Sequence, residues 1–420
     1  MGIVRAGAFS AVAAAARLLS GLVVIKLVAL FVGPEGVAQL GQFISLMSLL
    51  LVFAGGGIGT GIVKYTAEYQ GDHERLDCLL NAGLYYTLIT SCLTGIAVLI
   101  FSKPLTLWLL GDIRYKSLIW ILAIAQSLIA IHNYIVAIIN GFMDVRRITL
   151  IHVIGSLVSL VLTALLAYFF RLYGALLALV LGQAMLLVVS LHFFRHSSYF
   201  DWKFFRPHFD RYKISLLLKF SLMTMISALL SPLVQIWVRN HLAKEFSWKE
   251  VGYWQAVSKV SDAYLLFITM AINVYYLPKL SLIKDRTQFR AELSNAYRFI
   301  VPVVIVLAVA IFTLRKWVTL ILFNEDFIDA SYLYAPQLIG DVLKISSYIF
   351  AYVMLAKAMT KVFFLSELAF SMMYVGWVWI LTLKFGLIGS MYAFAVNYLL
   401  YFGFTFVVVD RYIKTMEETL

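Results

Sequence analysis

The chain has 420 residues, of which 62% are hydrophobic and only 13% are charged, and its mean hydropathy is +0.90. Soluble globular domains average about 45–50% apolar and about 25% charged residues, so the composition excludes a soluble protein and indicates an integral membrane protein. With only two cysteines, Cys78 and Cys92, the sequence supports neither a disulfide framework nor a metal site.

Twelve apolar segments are long enough to cross a bilayer, whose hydrocarbon core of about 30 Å needs about 20 helical residues. They cover residues 8–32, 38–62, 80–101, 117–140, 148–170, 174–194, 214–238, 250–278, 297–313, 332–355, 362–383 and 387–409. Because they are continuous apolar runs rather than short stretches of alternating polarity, a helical bundle is favoured over a β-barrel. The sequence therefore predicts an all-α integral membrane protein with twelve transmembrane helices.

The basic residues are divided unequally between the two sides of the membrane. Of 34 lysines and arginines, 19 fall in connections on the side of the N-terminus, ten on the opposite side and five within the predicted spans. The positive-inside rule places the richer side in the cytoplasm, so both termini are predicted to be cytoplasmic. Membrane topology thereby accounts for the net charge of +12, and nucleic acid is not an expected partner.

The first span carries two cations, Arg17 near mid-membrane and Lys26 nearer the outer end. A charge deep in a membrane is costly unless it faces a cavity or a partner, so Arg17 is a candidate substrate-binding residue. For Lys26, facing a cavity and snorkelling to the interface remain alternatives. The glycines of residues 55–61, which end the second span, predict close helix packing or a kink.

The connection over residues 195–213 is basic and aromatic, and six predicted spans lie on either side of it. Next to a membrane this composition is typical of an interfacial segment in contact with anionic lipid. It is interpreted as the linker between two bundles. The predicted domains are an N-terminal six-helix bundle (residues 1–195), a cytoplasmic linker (196–213) and a C-terminal six-helix bundle (214–420).

The eighth and tenth spans each carry a polar face with a lysine and an aspartate three residues apart. The two faces consist of Gln255, Ser258, Lys259, Asp262, Thr269 and Asn273, and of Gln337, Asp341, Lys344 and Tyr348. Residues three apart are neighbours on a helix, so Lys259 can approach Asp262 and Asp341 can approach Lys344. A buried ion pair that fixes helix packing and direct contact with a substrate are the two alternatives.

Lys219 in the seventh span and Glu367 in the eleventh complete the set of charged residues within the spans. Snorkelling is the alternative to a site role for Lys219, and Glu367 is a candidate proton site. The spans hold five cations, Arg17, Lys26, Lys219, Lys259 and Lys344, against the carboxylates Asp262, Asp341 and Glu367. A cationic interior favours an anionic head group such as a pyrophosphate, whereas a carrier of cationic drugs would show the opposite sign.

No Ser-His-Asp arrangement, HExxH motif or Walker sequence is present, so the chain is not predicted to be an enzyme. Two blocks carry a family resemblance, SWKEVGYWQAVSKVSDAYLLFITMAINVYYLPKLS over residues 247–281 and LIGDVLKISSYIFAYVMLAKA over residues 338–358. They resemble the Wzx-type flippases of lipid-linked oligosaccharides, within the multidrug/oligosaccharidyl-lipid/polysaccharide (MOP) exporter superfamily. The similarity is greatest to members that carry lipid III of enterobacterial common antigen.

The resemblance implies two pseudo-symmetric six-helix bundles around a central cavity that opens alternately to each side of the bacterial inner membrane. It also implies a substrate of undecaprenyl pyrophosphate bearing a short oligosaccharide, moved from the cytoplasmic to the periplasmic leaflet. Asp262, Asp341 and Lys344 match residues of similar flippases, whereas the position of Lys259 is not basic there. Lys259 is therefore expected to pair with Asp262 or to tune sugar selectivity.

The predicted substrate-binding residues are Arg17, Lys344, Lys259, Lys26, Lys219 and Gln255, and the predicted ion-pair or coupling residues are Asp262, Asp341 and Glu367. No cofactor is expected, and proton or sodium coupling is left open. Membrane lipids, a polysaccharide polymerase and a chain-length regulator are expected partners. The alternative functions are a flippase for an O-antigen or exopolysaccharide repeat unit or for peptidoglycan lipid II, and a non-transporting scaffold of polysaccharide assembly.

Overall fold

The computed structural model describes residues 3–283, 285–357 and 359–415, and within these ranges it contains helices but no strand. The α-helices are α1 (Ile3–Val32), α2 (Pro34–Ala54), α3 (Gly59–Glu68), α4 (His73–Ile100), α5 (Ser102–Leu110), α6 (Lys116–Gly141), α7 (Val145–Arg195), α8 (Arg211–Glu245), α9 (Trp248–Ala271), α10 (Leu277–Leu282), α11 (Arg286–Thr313), α12 (Arg315–Leu322), α13 (Tyr334–Ala356), α14 (Thr360–Phe385) and α15 (Ile388–Thr415).

All twelve predicted spans are occupied by helices. Nine helices in the described ranges are long and apolar enough to cross a membrane. One of them, α7, consists of two helices that meet at Arg171, where the backbone leaves the helical region. α8 and α9 occupy the seventh and eighth spans, and a π-helical turn (Ile272–Tyr276) joins α9 to α10. The predicted all-α membrane fold with twelve spans is confirmed.

Residues Met1–Ile236 form one compact unit, called the first unit below. An apolar core among its described residues is built from α3, α4, α6 and α7, with Ile62, Leu80 and Ile138 fully buried. The predicted linker contributes to this core, because Phe204 inserts into it with 3% of its surface exposed. Asn81 of α4 also binds the backbone amides at residues 206 and 208, which fixes the segment against α4.

Residues Trp237–Leu420 form the second unit. Its core lies between α11, α13 and α15 and includes Ile349, Phe350 and Val409. Gly340 allows close packing of α13 against α15, because an added Cβ would lie 2.4 Å from the ring of Phe394. The boundary between the two compact units falls inside α8. The predicted division into residues 1–195, 196–213 and 214–420 stays a prediction.

Three helical hairpins use the same tight turn, two in the first unit and one in the second. The turn joins α1 to α2, the two halves of α7, and α14 to α15. Its first residue has a positive φ, and three residues later a glycine packs so closely on the preceding helix that a Cβ would collide with it. The pairs are Gly33 (φ 83°, ψ −165°) with Gly36, Arg171 (φ 52°, ψ −130°) with Gly174, and Gly386 (φ 69°, ψ −153°) with Gly389.

Candidate functional site

The first ion pair of the second unit lies on α9, where the Lys259 ammonium is 3.1 Å from an Asp262 carboxylate oxygen. The pair follows from the three-residue spacing on one helix face. The two side chains are 34% and 58% exposed, respectively. Both side chains therefore keep accessible surface at which a further partner can bind.

Asp341 of α13 is the most buried carboxylate of the predicted set, with no exposed surface. It accepts a hydrogen bond from the Tyr264 hydroxyl at 2.9 Å and one from the Gln337 side-chain amide at 3.0 Å. A buried charge is tolerated only when hydrogen bonds replace its lost hydration. Donors from α9 and from its own helix provide that replacement, and they fix the carboxylate between α9 and α13.

The Lys344 ammonium, one turn further along α13, lies among three aromatic rings. The ring centroids of Tyr348, Phe394 and Tyr398 are 5.9, 5.8 and 5.8 Å from Nζ. Within the described part of the chain Lys344 forms no ion pair with Asp341, although the spacing allows one. The ammonium is instead stabilised by cation–π contacts, each of about 0.5–2 kcal/mol. We refer to the three rings as the aromatic cage.

Arg239 follows the seventh predicted span (residues 214–238), so the sequence predicts it in a connection, and this prediction is wrong. It lies in α8 and is 4% exposed. Its Nε donates a hydrogen bond to the Gln255 side-chain oxygen at 2.7 Å, and its guanidinium lies 5.7 Å from the Trp254 ring centroid. The sequence does contain a signal for its position. Ser231, Gln235 and Arg239 follow one another at steps of four residues, so they lie on the same polar face of α8.

These side chains form one electrostatic cluster. Asp262 lies within electrostatic range of both Arg239 and Lys344, and Asp341 lies within range of Lys344. The charged cluster therefore consists of Arg239, Gln255, Lys259, Asp262, Asp341 and Lys344, which come from α8, α9 and α13. It brings together three cations and two carboxylates, so it carries a net positive charge.

Glu367 is connected to this cluster through tyrosines. Its exposed side chain on α14 lies next to Tyr401 of α15, and it is within electrostatic range of Tyr398. The ring centroids of Tyr348 and Tyr398 are 6.3 Å apart, and those of Tyr398 and Tyr401 are 6.4 Å apart. A row of three tyrosines thus leads to Glu367, and two of them, Tyr348 and Tyr398, belong to the aromatic cage.

The remaining predicted site residues belong to the first unit. Arg17 is exposed on α1, lies within electrostatic range of His152, and has no hydrogen bond or ion pair in the described part of the chain. Lys26 is half-buried on the same helix. The side chain of Lys219 lies outside the described residues. The site roles predicted for these three residues stay predictions.

The first unit also contains a cavity of about 220 Å³ beside the glycine-rich segment, which interrupts the second span between α2 and α3. Gly57, Thr60, Thr87 and Asn133 supply part of its lining. Within the described ranges no group of three His, Cys, Asp or Glu residues is arranged to hold a metal ion. The charged cluster, with three cations against two carboxylates, is suited to an anionic ligand.

Comparison with known proteins finds similarity over almost the whole chain. A family model described as polysaccharide biosynthesis protein matches residues 4–284. Lipid III flippases of Escherichia coli (strain K12) and Shigella flexneri are each 32% identical to the chain over 405 residues, which cover 96% of this chain and 97% of the relative.

Solved structures match at the level of the fold. A multidrug resistance MATE family transporter of the MOP superfamily, in an inward-facing conformation, has a TM-score of 0.81 and 16% identity over 96% of both chains. A MOP superfamily transporter from Pyrococcus furiosus has a TM-score of 0.70 and 17% identity, covering 99% of this chain and 96% of the other. The chain thus has the fold of MOP transporters, as its family resemblance implied.

Proposed function

The chain belongs to the polysaccharide biosynthesis protein family, and from this premise we propose that it is a flippase for lipid III of enterobacterial common antigen. In this proposal it moves an undecaprenyl-pyrophosphate-linked oligosaccharide from the cytoplasmic to the periplasmic leaflet of the bacterial inner membrane. The observation that carries the proposal is the 32% identity to lipid III flippases over 96% of the chain. The transporter fold and the net positive charged cluster support it.

The cations are proposed to hold the pyrophosphate while the prenyl tail stays in lipid. Arg17 is available for this role because its guanidinium has no hydrogen bond or ion pair among the described residues. Lys344 is available because its ammonium contacts aromatic rings and forms no ion pair among the described residues, with Asp262 and Asp341 within electrostatic range. Charge-assisted hydrogen bonds to phosphate oxygens are stronger than these ring contacts, so an entering pyrophosphate draws the ammonium out of the cage.

The carboxylates are proposed to take part in switching or ion coupling. When an anion attracts Lys259, the exposed pair with Asp262 opens and leaves a carboxylate for a proton or a sodium ion. Asp341 and Glu367 are further candidates, since each lies beside tyrosine hydroxyls. Net movement then follows from rocking of the helix bundles around the loaded site, as in many secondary transporters.

Both termini are proposed to face the cytoplasm, on the basis of the basic residues in the connections. A polysaccharide polymerase and a chain-length regulator are proposed partners on the assembly pathway. The predicted bundles of residues 1–195 and 214–420 are kept as the proposed moving bodies. The helical hairpin turns shared by the two units support a common architecture of the two halves.

Complementation tests the proposed cargo. A strain that lacks its lipid III flippase and the O-antigen flippases that substitute for it receives either the wild type or Arg17→Ala, and surface common antigen is scored. We expect rescue by the wild type and a strong loss with Arg17→Ala at equal membrane abundance. Arg315→Ala, which alters an arginine at the start of α12, is the matched control. If the wild type does not rescue the strain, the proposed cargo would change from lipid III to another lipid-linked oligosaccharide.

A further inference from the structure

A cavity of about 330 Å³ opens on the second unit between α11, α13 and α15, near the C-terminal end of α15. Its floor is apolar: Phe350 is 5% exposed and Val409 is fully buried. Phe406, which is exposed, forms one edge. The cavity is separate from the charged cluster and shares none of its residues.

The mouth of this cavity is polar and carries a cation with free donors. It is formed by Arg290 and Ser294 on α11 and by Asp410 on α15. Arg290 is exposed, and among the described residues its guanidinium has no hydrogen bond or ion pair. Asp410 lies within electrostatic range of Arg290 and of Arg286, and it is paired with Lys414 at 2.6 Å. Three cations against this carboxylate give the surroundings of the mouth a net positive charge.

We propose that this cavity binds one anionic phospholipid, with its phosphate at Arg290 and an acyl chain over Phe350 and Val409. A guanidinium recognises phosphate oxygens through paired hydrogen bonds, and the positive charge around the mouth complements an anionic head group. The cavity residues of α11 lie in the first three turns after Arg286, at the start of the span predicted over residues 297–313. Lipid phosphates lie at this level of a membrane.

A second cavity indicates the direction in which the acyl chain of the lipid runs. It has a volume of about 230 Å³ and lies between α11 and α13, lined by apolar residues that include Ile305, Ala308 and Phe312. Tyr297 of the first cavity lies close to whole helical turns from these residues, so both cavities lie on the same face of α11. The acyl chain continues from the mouth along this face.

Lipid retention by the purified full-length protein tests the proposal. Wild type, Arg290→Gln and Arg298→Gln are mixed with phosphatidylglycerol or with phosphatidylcholine of identical chains, and bound lipid is counted by native mass spectrometry. Arg298 is an exposed arginine on the same helix that does not line the cavity, which makes it the matched control. We expect one retained phosphatidylglycerol, preferred about tenfold, with the preference lost in Arg290→Gln and kept in Arg298→Gln.

A second variant tests the cavity itself. Ser294→Phe fills the mouth and leaves Arg290 in place, so it is expected to abolish retention of phosphatidylglycerol. Equal retention of the two phospholipids by the wild type, equal losses in Arg290→Gln and Arg298→Gln, or full retention by Ser294→Phe would each overturn the proposal. Retention of undecaprenyl phosphate in place of phosphatidylglycerol would also overturn it, by assigning the cavity to the carrier lipid.

Discussion

Lys344 carries a charge in a predicted span, contacts aromatic rings and forms no ion pair among the described residues. The three rings of the aromatic cage stabilise the ammonium, while Asp341 is occupied by Tyr264 and Gln337. An ion pair between Lys344 and Asp341 would have satisfied both charges and left no cation for a substrate. Because Lys344 and Asp341 have different partners, the Lys344 ammonium stays available to an anionic substrate, as the proposed function requires.

Lys344→Gln is therefore expected to lower flipping by about tenfold to a hundredfold, the equivalent of about 1.5–3 kcal/mol for hydrogen bonds to a charged group. The rate of appearance of surface common antigen after induction measures the effect. Lys384→Gln changes an exposed lysine in the last turn of α14 and is expected to be neutral. Equal activities of the two variants at equal abundance would remove Lys344 from the proposed site.

The hydrogen bonds to Asp341 lead to a prediction about stability. Tyr264→Phe removes the donor at 2.9 Å from a fully buried carboxylate. We expect a loss of about 1.5–3 kcal/mol in the free energy of unfolding, read as a lower melting temperature in detergent. Tyr332→Phe, at a half-exposed tyrosine of the same unit, is expected to change little. A wild-type melting temperature for Tyr264→Phe would show that this contact does not hold Asp341.

At the scale of elements, the spans were predictable and several of their contacts were not. Apolar length is a property of the local sequence, so all twelve spans were located from it, and the spacing of Lys259 and Asp262 correctly indicated a pair. Arg239 was missed because its burial depends on Gln255 and Trp254 of another helix. The packing of Phe204 in the first core is likewise a tertiary contact that the composition of the linker does not show.

The repeated hairpin turn gives a prediction about Gly386, whose φ of 69° and ψ of −153° lie where non-glycine residues are strained. Gly386→Ala is expected to destabilise the protein by about 1–3 kcal/mol. Gly403→Ala, inside α15 with open space around it, is expected instead to stabilise by about 0.5–1 kcal/mol. Thermal unfolding in one detergent compares the two. The two melting temperatures are expected to shift in opposite directions. Equal shifts would contradict the claim that the turn needs glycine at position 386.

At the scale of the whole molecule, the sign of the intramembrane charge determines the class of cargo. With Arg239 added to the residues predicted within the spans, the cations are Arg17, Lys26, Lys219, Arg239, Lys259 and Lys344, against Asp262, Asp341 and Glu367. This balance favours anionic substrates, although the similar solved structure with a TM-score of 0.81 is a multidrug transporter. The fold alone therefore does not determine the cargo, and the proposal rests on the identity to lipid III flippases and on the sign of these charges.

Overexpression is accordingly expected to confer no resistance to cationic drugs. In a host without its own multidrug exporters, the minimal inhibitory concentrations should equal those of the empty vector, because a cationic interior repels cationic compounds. A multidrug MATE exporter expressed to the same level serves as the positive control. A reproducible rise in the inhibitory concentration of a cationic drug would contradict the anionic-cargo assignment.

The most direct test of lipid III flipping uses the purified chain in proteoliposomes. Lipid III and peptidoglycan lipid II, each with a fluorescent label on its glycan, are incorporated separately, and exposure of the label to an external quencher is followed over time. We predict that the wild type moves lipid III much faster than lipid II and faster than protein-free vesicles, and that Lys344→Gln slows the movement. Equal rates for the two lipids, or no movement beyond that in empty vesicles, would contradict the proposed function.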